Sequence, residues 1–165
     1  MERVLILGSP GAGKSTLARR LAERTGLPVI HLDAEYWQPG WVEPEPAAWA
    51  GTVSRLVERP RWIMDGNYGG TRAIRMAAAD TAIYLDYPTA LCLWRAIRRW
   101  VGHRGRSRSD MAPGCPERLD WTFLSYIARY RGQSGKRMRD AIERFAGDVL
   151  VFRRPREADA WLAAL

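Results

Sequence analysis

The sequence predicts an α/β domain in which a parallel sheet carries helices on both faces, and three observations predict it. Short apolar runs that read as strands alternate with amphipathic stretches that read as helices. The run Gly8-Ser9-Pro10-Gly11-Ala12-Gly13-Lys14-Ser15 joins the first strand to the first helix and satisfies GxxxxGK(S/T) at every fixed position. Aspartates Asp33, Asp65 and Asp86 stand just past the second, third and fourth strands, the edge where ligands bind in open α/β sheets.

Residues 3–7 form a short apolar strand. Lys14–Thr25 carries Leu17, Ala18, Leu21 and Ala22 at helical spacing, and Gly26 stops it. Residues 28–32 give a second strand. Residues 46–59 place Trp49, Val53, Leu56 and Val57 on one helical face, and residues 61–64 and 81–85 read as the third and fourth strands. Residues 89–101 and 117–130 read as helices, with Leu91, Trp94 and Ile97 expected in the core and Trp121, Leu124 and Ile127 forming an apolar stripe. Cys115-Pro116-Glu117 reads as the start of the later helix, with proline in its first turn. Residues 148–152 are a last strand before a terminal helix. Between these elements, residues 102–116 lack apolar periodicity and carry Arg104, Arg106 and Arg108 at every second position. A long irregular insert in a small domain is usually functional or mobile.

Length and composition fit this organisation. The 165 residues suit one domain over 1–165, and 47% apolar content supports a full core. The opening apolar run, Val4 to Leu7, is too short for a secretory or membrane segment, so a cytoplasmic protein is expected. Cys92 and Cys115 are then free thiols. The formal net charge is +8, with most of the excess on arginine. Arginine suits phosphate clamping and also attraction to nucleic acid, and a GC-rich coding bias produces it too; composition does not separate these.

The glycine-rich run carries the strongest chemistry. Its glycines let backbone N–H groups wrap a phosphate with no Cβ in the way, and the next helix aims its positive end at the same place. Residues 8–16 thus form the nucleotide contact: Lys14 bridges the β- and γ-phosphates, Ser15 ligates magnesium and Thr16 lies near the α-phosphate. Asp65, after the run Trp62-Ile63-Met64, is placed as the carboxylate that holds the magnesium through water. Asp33 is placed to orient or deprotonate an acceptor hydroxyl; a turn or capping role is the alternative for both. For Asp86, before Tyr87-Pro88 and a helix start, capping is preferred. His31 either packs structurally or touches substrate, and Trp37 and Trp41 either stack on a planar or sugar-like acceptor or pack in the core or at a hinge.

Arg95, Arg98 and Arg99 lead into Arg104, Arg106 and Arg108, an arginine-rich lid. Such a lid neutralises the transferred group and excludes water, and Arg95, Arg99 and Arg104 are the expected phosphate contacts. His103 and Cys115 are two candidate ligands, short of the four that structural zinc needs.

With these residues in place, the chain resembles the adenylate kinase-related P-loop proteins known as DNA topology modulation (FlaR-type) proteins. The resemblance rests on GSPGAGKST, His31-Leu32-Asp33, Pro39-Gly40-Trp41, Asp65-Gly66-Asn67-Tyr68, Ala79-Asp80-Thr81, Arg108-x-Asp110-Met111 and Gly114-Cys115-Pro116-Glu117. It implies a P-loop NTPase fold like that of the nucleoside monophosphate kinases: five parallel strands in the order 2-3-1-4-5 and a lid over about 102–116. Adenylate kinases carry a Pro-Arg pair after the third strand where this chain has Asn67-Tyr68, which points away from AMP as acceptor. An aspartate after the second strand looks more like shikimate- and gluconate-type kinases, which phosphorylate a hydroxyl. The expectation is an ATP- and Mg²⁺-dependent phosphotransferase on a small molecule. The alternative is a nucleotide-dependent switch or weak ATPase whose basic surface binds nucleic acid, although no helix-turn-helix, zinc finger or stacking platform is present.

Overall fold

In a computed structural model that describes residues 1–103, 110–116 and 120–165, five parallel strands form one sheet in the order β2-β3-β1-β4-β5. They are β1 (Arg3–Gly8), β2 (Val29–His31), β3 (Trp62–Asp65), β4 (Thr81–Leu85) and β5 (Asp148–Phe152). The helices are α1 (Lys14–Thr25), α2 (Leu32–Tyr36), α3 (Pro46–Val57), α4 (Arg72–Ala78), α5 (Thr89–His103), α6 (Trp121–Tyr130), α7 (Ser134–Glu143) and α8 (Pro155–Ala163). The expected α/β class and strand order are those observed.

Alternation along the strands explains the two layers. Val4, Ile6, Ile63 and Ile83 point to one face and pack on Leu17, Ala18 and Leu21 of α1, Cys92 and Ala96 of α5 and Leu162 of α8. Leu5, Leu7, Met64 and Tyr84 point to the other and meet Trp49, Val53 and Leu56 of α3 with Met138 and Ile142 of α7. Central strands buried on both faces read as unbroken apolar runs, which is why β1 was legible as one. Among the described residues, no helix is long and apolar enough to cross a membrane.

Several expectations are corrected. The second strand ends at His31, because Leu32 opens the short helix α2. Trp94 and Ile97 lie on the open side of α5, 54% and 43% exposed, while Cys92 and Ala96 face inward. The phase is set by closeness: a Cβ on Gly11 would stand 2.2 Å from the Cys92 carbonyl oxygen, so only small residues fit on that side of α5. Trp121 is 86% exposed, and the buried stripe of α6 runs instead through Ile127 and Tyr130. Cys115 and Pro116 do not begin a helix; α6 starts at Trp121, where the Asp120 carboxylate accepts from the Phe123 N–H at 2.7 Å. Helices α4 and α7 are additions to the reading. Arg104, Arg106 and Arg108 of the expected lid lie outside the described residues, as does the side chain of His103.

Candidate functional site

The site opens at the carboxyl ends of β1, β2 and β3, as a cleft of about 1380 Å³. On the β1 side, Gly8, Gly11 and Gly13 take φ values of 149°, 79° and 96°, a path that residues with a Cβ rarely follow. The loop they build ends at α1, whose first turn carries Lys14, half-buried Ser15 and exposed Thr16. Pro10 through Thr16 line the cleft, while Gly8 and Ser9 are buried and do not line it. Lys14 folds back over the loop, donating from Nζ to the Gly8 carbonyl at 3.0 Å and the Ser9 carbonyl at 3.2 Å. Burial lowers its ammonium below the ordinary lysine value, against the attraction of Asp33 and Asp65.

Arg95 crosses from α5 to donate to the Ala12 carbonyl at 3.0 Å and lies over the Tyr87 ring at 5.8 Å. Arg99 lines the same cleft. Arg98, one position off this face, sits 5.2 Å from the Trp94 ring centroid on the outer side. The structure therefore brings Arg95 and Arg99 to the phosphate loop, and Arg104 lies outside the described residues.

Asp65 ends β3 and is buried, one oxygen hydrogen-bonded to His31 Nδ1 at 2.8 Å. The two residues are register partners across β2 and β3. That hydrogen bond raises the His31 pKa above its ordinary value, outweighing the effect of burial. His31 is thus paired with Asp65 through Nδ1. Ser15 and Asp65 line one cleft beside the phosphate loop. A hydroxyl and a carboxylate, with phosphate oxygens and retained water, suit magnesium; no group of three acidic, histidine or cysteine ligands is present among the described residues, and magnesium needs none.

In the same cleft, Asp33 on α2 accepts the Tyr68 hydroxyl at 2.6 Å. Tyr68 joins an aromatic group with Tyr36 and Trp49, at centroid separations of 4.5 and 5.3 Å. Burial and the Asp33 charge push the Tyr68 phenol well above its ordinary value. Trp37 and Trp41 meet edge to face at 5.2 Å and pack on Met111, Ala112 and Cys115. The Trp loop and residues 110–116 are tied together by Trp41 Nε1 to the Pro116 carbonyl at 3.2 Å, Gly40 N–H to the Gly114 carbonyl at 3.0 Å and Cys115 Sγ to the Gln38 carbonyl at 3.2 Å. Both tryptophans still line the cleft. Asp86 is not a helix cap: its carboxylate lies 3.6 Å from Arg131 Nε and 3.8 Å from Arg139 Nη1, three residues before α5 begins.

Three residues without an individual role in the sequence reading complete the site. The Asn67 amide clasps the backbone of Gly8, accepting from its N–H at 3.3 Å and donating to its carbonyl at 2.8 Å. Tyr68 takes a positive φ of 29°. Fully buried Arg75 donates to the carbonyls of Gly66 at 3.0 Å and Tyr68 at 2.9 Å, and to that of Asn67. Asn67 and Tyr68 had a signal in the block Asp65-Gly66-Asn67-Tyr68; Arg75, in the stretch RAIRMAA, had none.

With this geometry in hand, comparison with known proteins is informative. The family model for the ATPase family associated with various cellular activities (AAA) matches residues 4–61. An adenylate kinase of Kocuria rhizophila is 60% identical over 30 residues, 18% of this chain and 16% of that protein. A shikimate kinase of Thermobifida fusca is 55% identical over 31 residues, 19% of this chain and 18% of that one. The chain thus spans less than a fifth of the length of these curated relatives. Solved structures match nearly throughout. A shikimate kinase from Bacteroides thetaiotaomicron has a TM-score of 0.61 at 13% identity, covering 99% of this chain and 95% of that one. An unliganded sugar kinase from Janibacter sp. HTCC2649 has a TM-score of 0.54 at 17% identity, covering 99% and 93%. The fold is that of the P-loop kinases.

Proposed function

We propose that this chain is an ATP-dependent kinase that phosphorylates a hydroxyl of a small molecule. One observation carries the reading: Lys14 and its phosphate loop line the same cleft as Asp33 and Asp65, whose charges both act on the lysine. A donor loop of this form fits the short matches to adenylate and shikimate kinases, and a shikimate kinase from Acinetobacter baumannii solved with shikimate shares the fold at a TM-score of 0.56 and 18% identity, over 99% of this chain and 90% of that one.

In this mechanism the loop N–H groups and the start of α1 hold the triphosphate, and Lys14 leaves its loop carbonyls to reach the β- and γ-phosphates. Ser15 and, through water, Asp65 would hold Mg²⁺, which neutralises charge on the β- and γ-oxygens when bound. Arg95 and Arg99 add positive charge where the transferred group passes. Asp33 takes the proton of the acceptor hydroxyl as its oxygen bonds to the γ-phosphorus and the bond to ADP breaks, giving the phosphomonoester and ADP.

The test is a panel of nucleosides, nucleotides and hydroxylated acids, read by ADP release with and without each acceptor. With an acceptor found, Asp33→Asn is expected to lower transfer by about a hundredfold or more while binding of a fluorescent ATP analogue is retained. Failure of every acceptor to raise ADP release above the basal rate would count against a kinase.

A further inference from the structure

The turn that follows β3 contains a contact that the transfer chemistry does not use. The Asn67 side chain reaches back to Gly8 and pairs with both its N–H and its carbonyl, and only one orientation of the amide satisfies both. The same carbonyl accepts a second hydrogen bond, from Lys14 Nζ at 3.0 Å. Gly8 is buried, and a Cβ built on it would stand 2.8 Å from the Leu85 carbonyl oxygen, so the surroundings are tight.

The turn itself is held on several sides. Arg75 donates to the carbonyls of Gly66, Asn67 and Tyr68 from beneath, and the Tyr68 hydroxyl is fastened to Asp33. A Cβ on Gly66 would stand 2.9 Å from Leu32 Cβ, which fixes how close the turn lies to α2. Asn67 is therefore presented to Gly8 from a rigid base.

We propose that Asn67 is a positioning residue for nucleotide binding that acts through Gly8. When Lys14 withdraws to meet the phosphates, it takes its hydrogen bond from the Gly8 carbonyl. Asn67 keeps that buried oxygen satisfied, so the lysine leaves without stranding an acceptor. Without the amide, a buried carbonyl would lose both of these donors as Lys14 moves, which disfavours the nucleotide-bound state by about tenfold. Asn67 also fixes the end of β1 from which the loop springs. This proposal rests on the donor-site reading above.

The experiment uses the full chain, a fluorescent ATP analogue with Mg²⁺, and thermal melting as a control for folding. Asn67→Ala is expected to weaken nucleotide affinity about fivefold to tenfold; the buried Gly8 N–H also loses its acceptor, so the melting temperature falls by several degrees while the fold is kept. Asn67→Asp is expected to weaken it further, because it keeps the shape, loses the Nδ2 donor and adds negative charge beside the phosphates. If the alanine variant does not fold, Asn67→Leu, of similar shape and without charge, carries the comparison. On a Lys14→Met background, where no lysine needs to leave, the Asn67 change is expected to cost less than twofold. Unchanged affinity in the single variants, or an equal loss on both backgrounds, would overturn the proposal and leave Asn67 a structural tie. Undiminished binding by Lys14→Met alone would remove the donor-site reading itself, and the proposal with it.

Discussion

Replacing Arg75 by methionine asks how much a buried cation contributes when its partners are carbonyls. Arg75 is fully buried, and among the described residues no carboxylate pairs with it. Burial, reinforced by the neighbouring Arg72 charge, pushes its guanidinium down to about 10. Against this stand donations to three carbonyls, with Nε buried and unpartnered. Hydrogen bonds from a charged donor are worth about 1.5–3 kcal/mol each, so three give roughly 5–9 kcal/mol. Burying the charge costs several kcal/mol in return. Methionine fills similar volume and removes that cost, but leaves three acceptors to find new partners, so the expected net loss is about 2–4 kcal/mol. In a chain of this length that lowers the melting temperature by about 10 °C. Arg75→Lys is expected to be worse than Arg75→Met: it keeps the charge buried, and a single ammonium cannot reproduce the planar fork. Urea unfolding followed by the fluorescence of buried Trp49 and Trp62 measures both. Arg75→Met within about 0.5 kcal/mol of wild type, or lysine better tolerated than methionine, would refute the reasoning.

Gly11→Ala places a Cβ 2.2 Å from the Cys92 carbonyl at a φ of +79°, so α5 must move away from the phosphate loop. We expect a loss of about 3 kcal/mol or more and no detectable binding of Mg·ATP by fluorescence titration; Gly26→Ala, at φ +69° with nothing within 4 Å, is expected to cost only about 1 kcal/mol. Asp80 would be raised by burial, but hydrogen bonds from the Thr81 hydroxyl and the N–H groups of Arg3 and Glu2 outweigh this and hold it below its ordinary 3.8. A depressed carboxylate stabilises above its unfolded pKa and loses that contribution as pH falls through the folded one. Asp80→Asn is therefore expected to cost about 1–2 kcal/mol at pH 7, and the gap to wild type is expected to close below about pH 4. A gap that stays constant down to pH 2.5 in urea melts would contradict the assignment.

The parts of the site that were legible in the sequence are those whose causes are local. Three glycines, a lysine and a serine between a strand and a helix admit few other structures, and a strand's end locates Asp33 and Asp65 at the ligand edge. What was not legible depends on distant partners. The phase of α5 follows from how close Cys92 comes to Gly11, which lies 81 positions earlier. The burial of Arg75 follows from the carbonyls of a turn seven to nine residues before it, so helical periodicity alone assigns it to solvent. The commitment of His31 to Asp65 follows from the register of β2 on β3.

The two sides of the cleft are also built by different means, and this bears on what each side recognises. The proposed donor side obtains its left-handed backbone from glycine, at Gly11 and Gly13, with little strain. On the proposed acceptor side, Trp41 and Tyr68 take positive φ values of 67° and 29° with full side chains. Such backbone persists only where its surroundings over-determine it. Trp41 is held by the Pro116 carbonyl and the Gln38 carbonyl, and Tyr68 by Arg75 and Asp33. On the proposed function, the donor loop meets only a triphosphate, for which a short local motif suffices. On the same proposal, an acceptor wall assembled from α2, residues 37–42, the 66–68 turn and residues 110–116 can change with each substrate while the sheet beneath stays fixed.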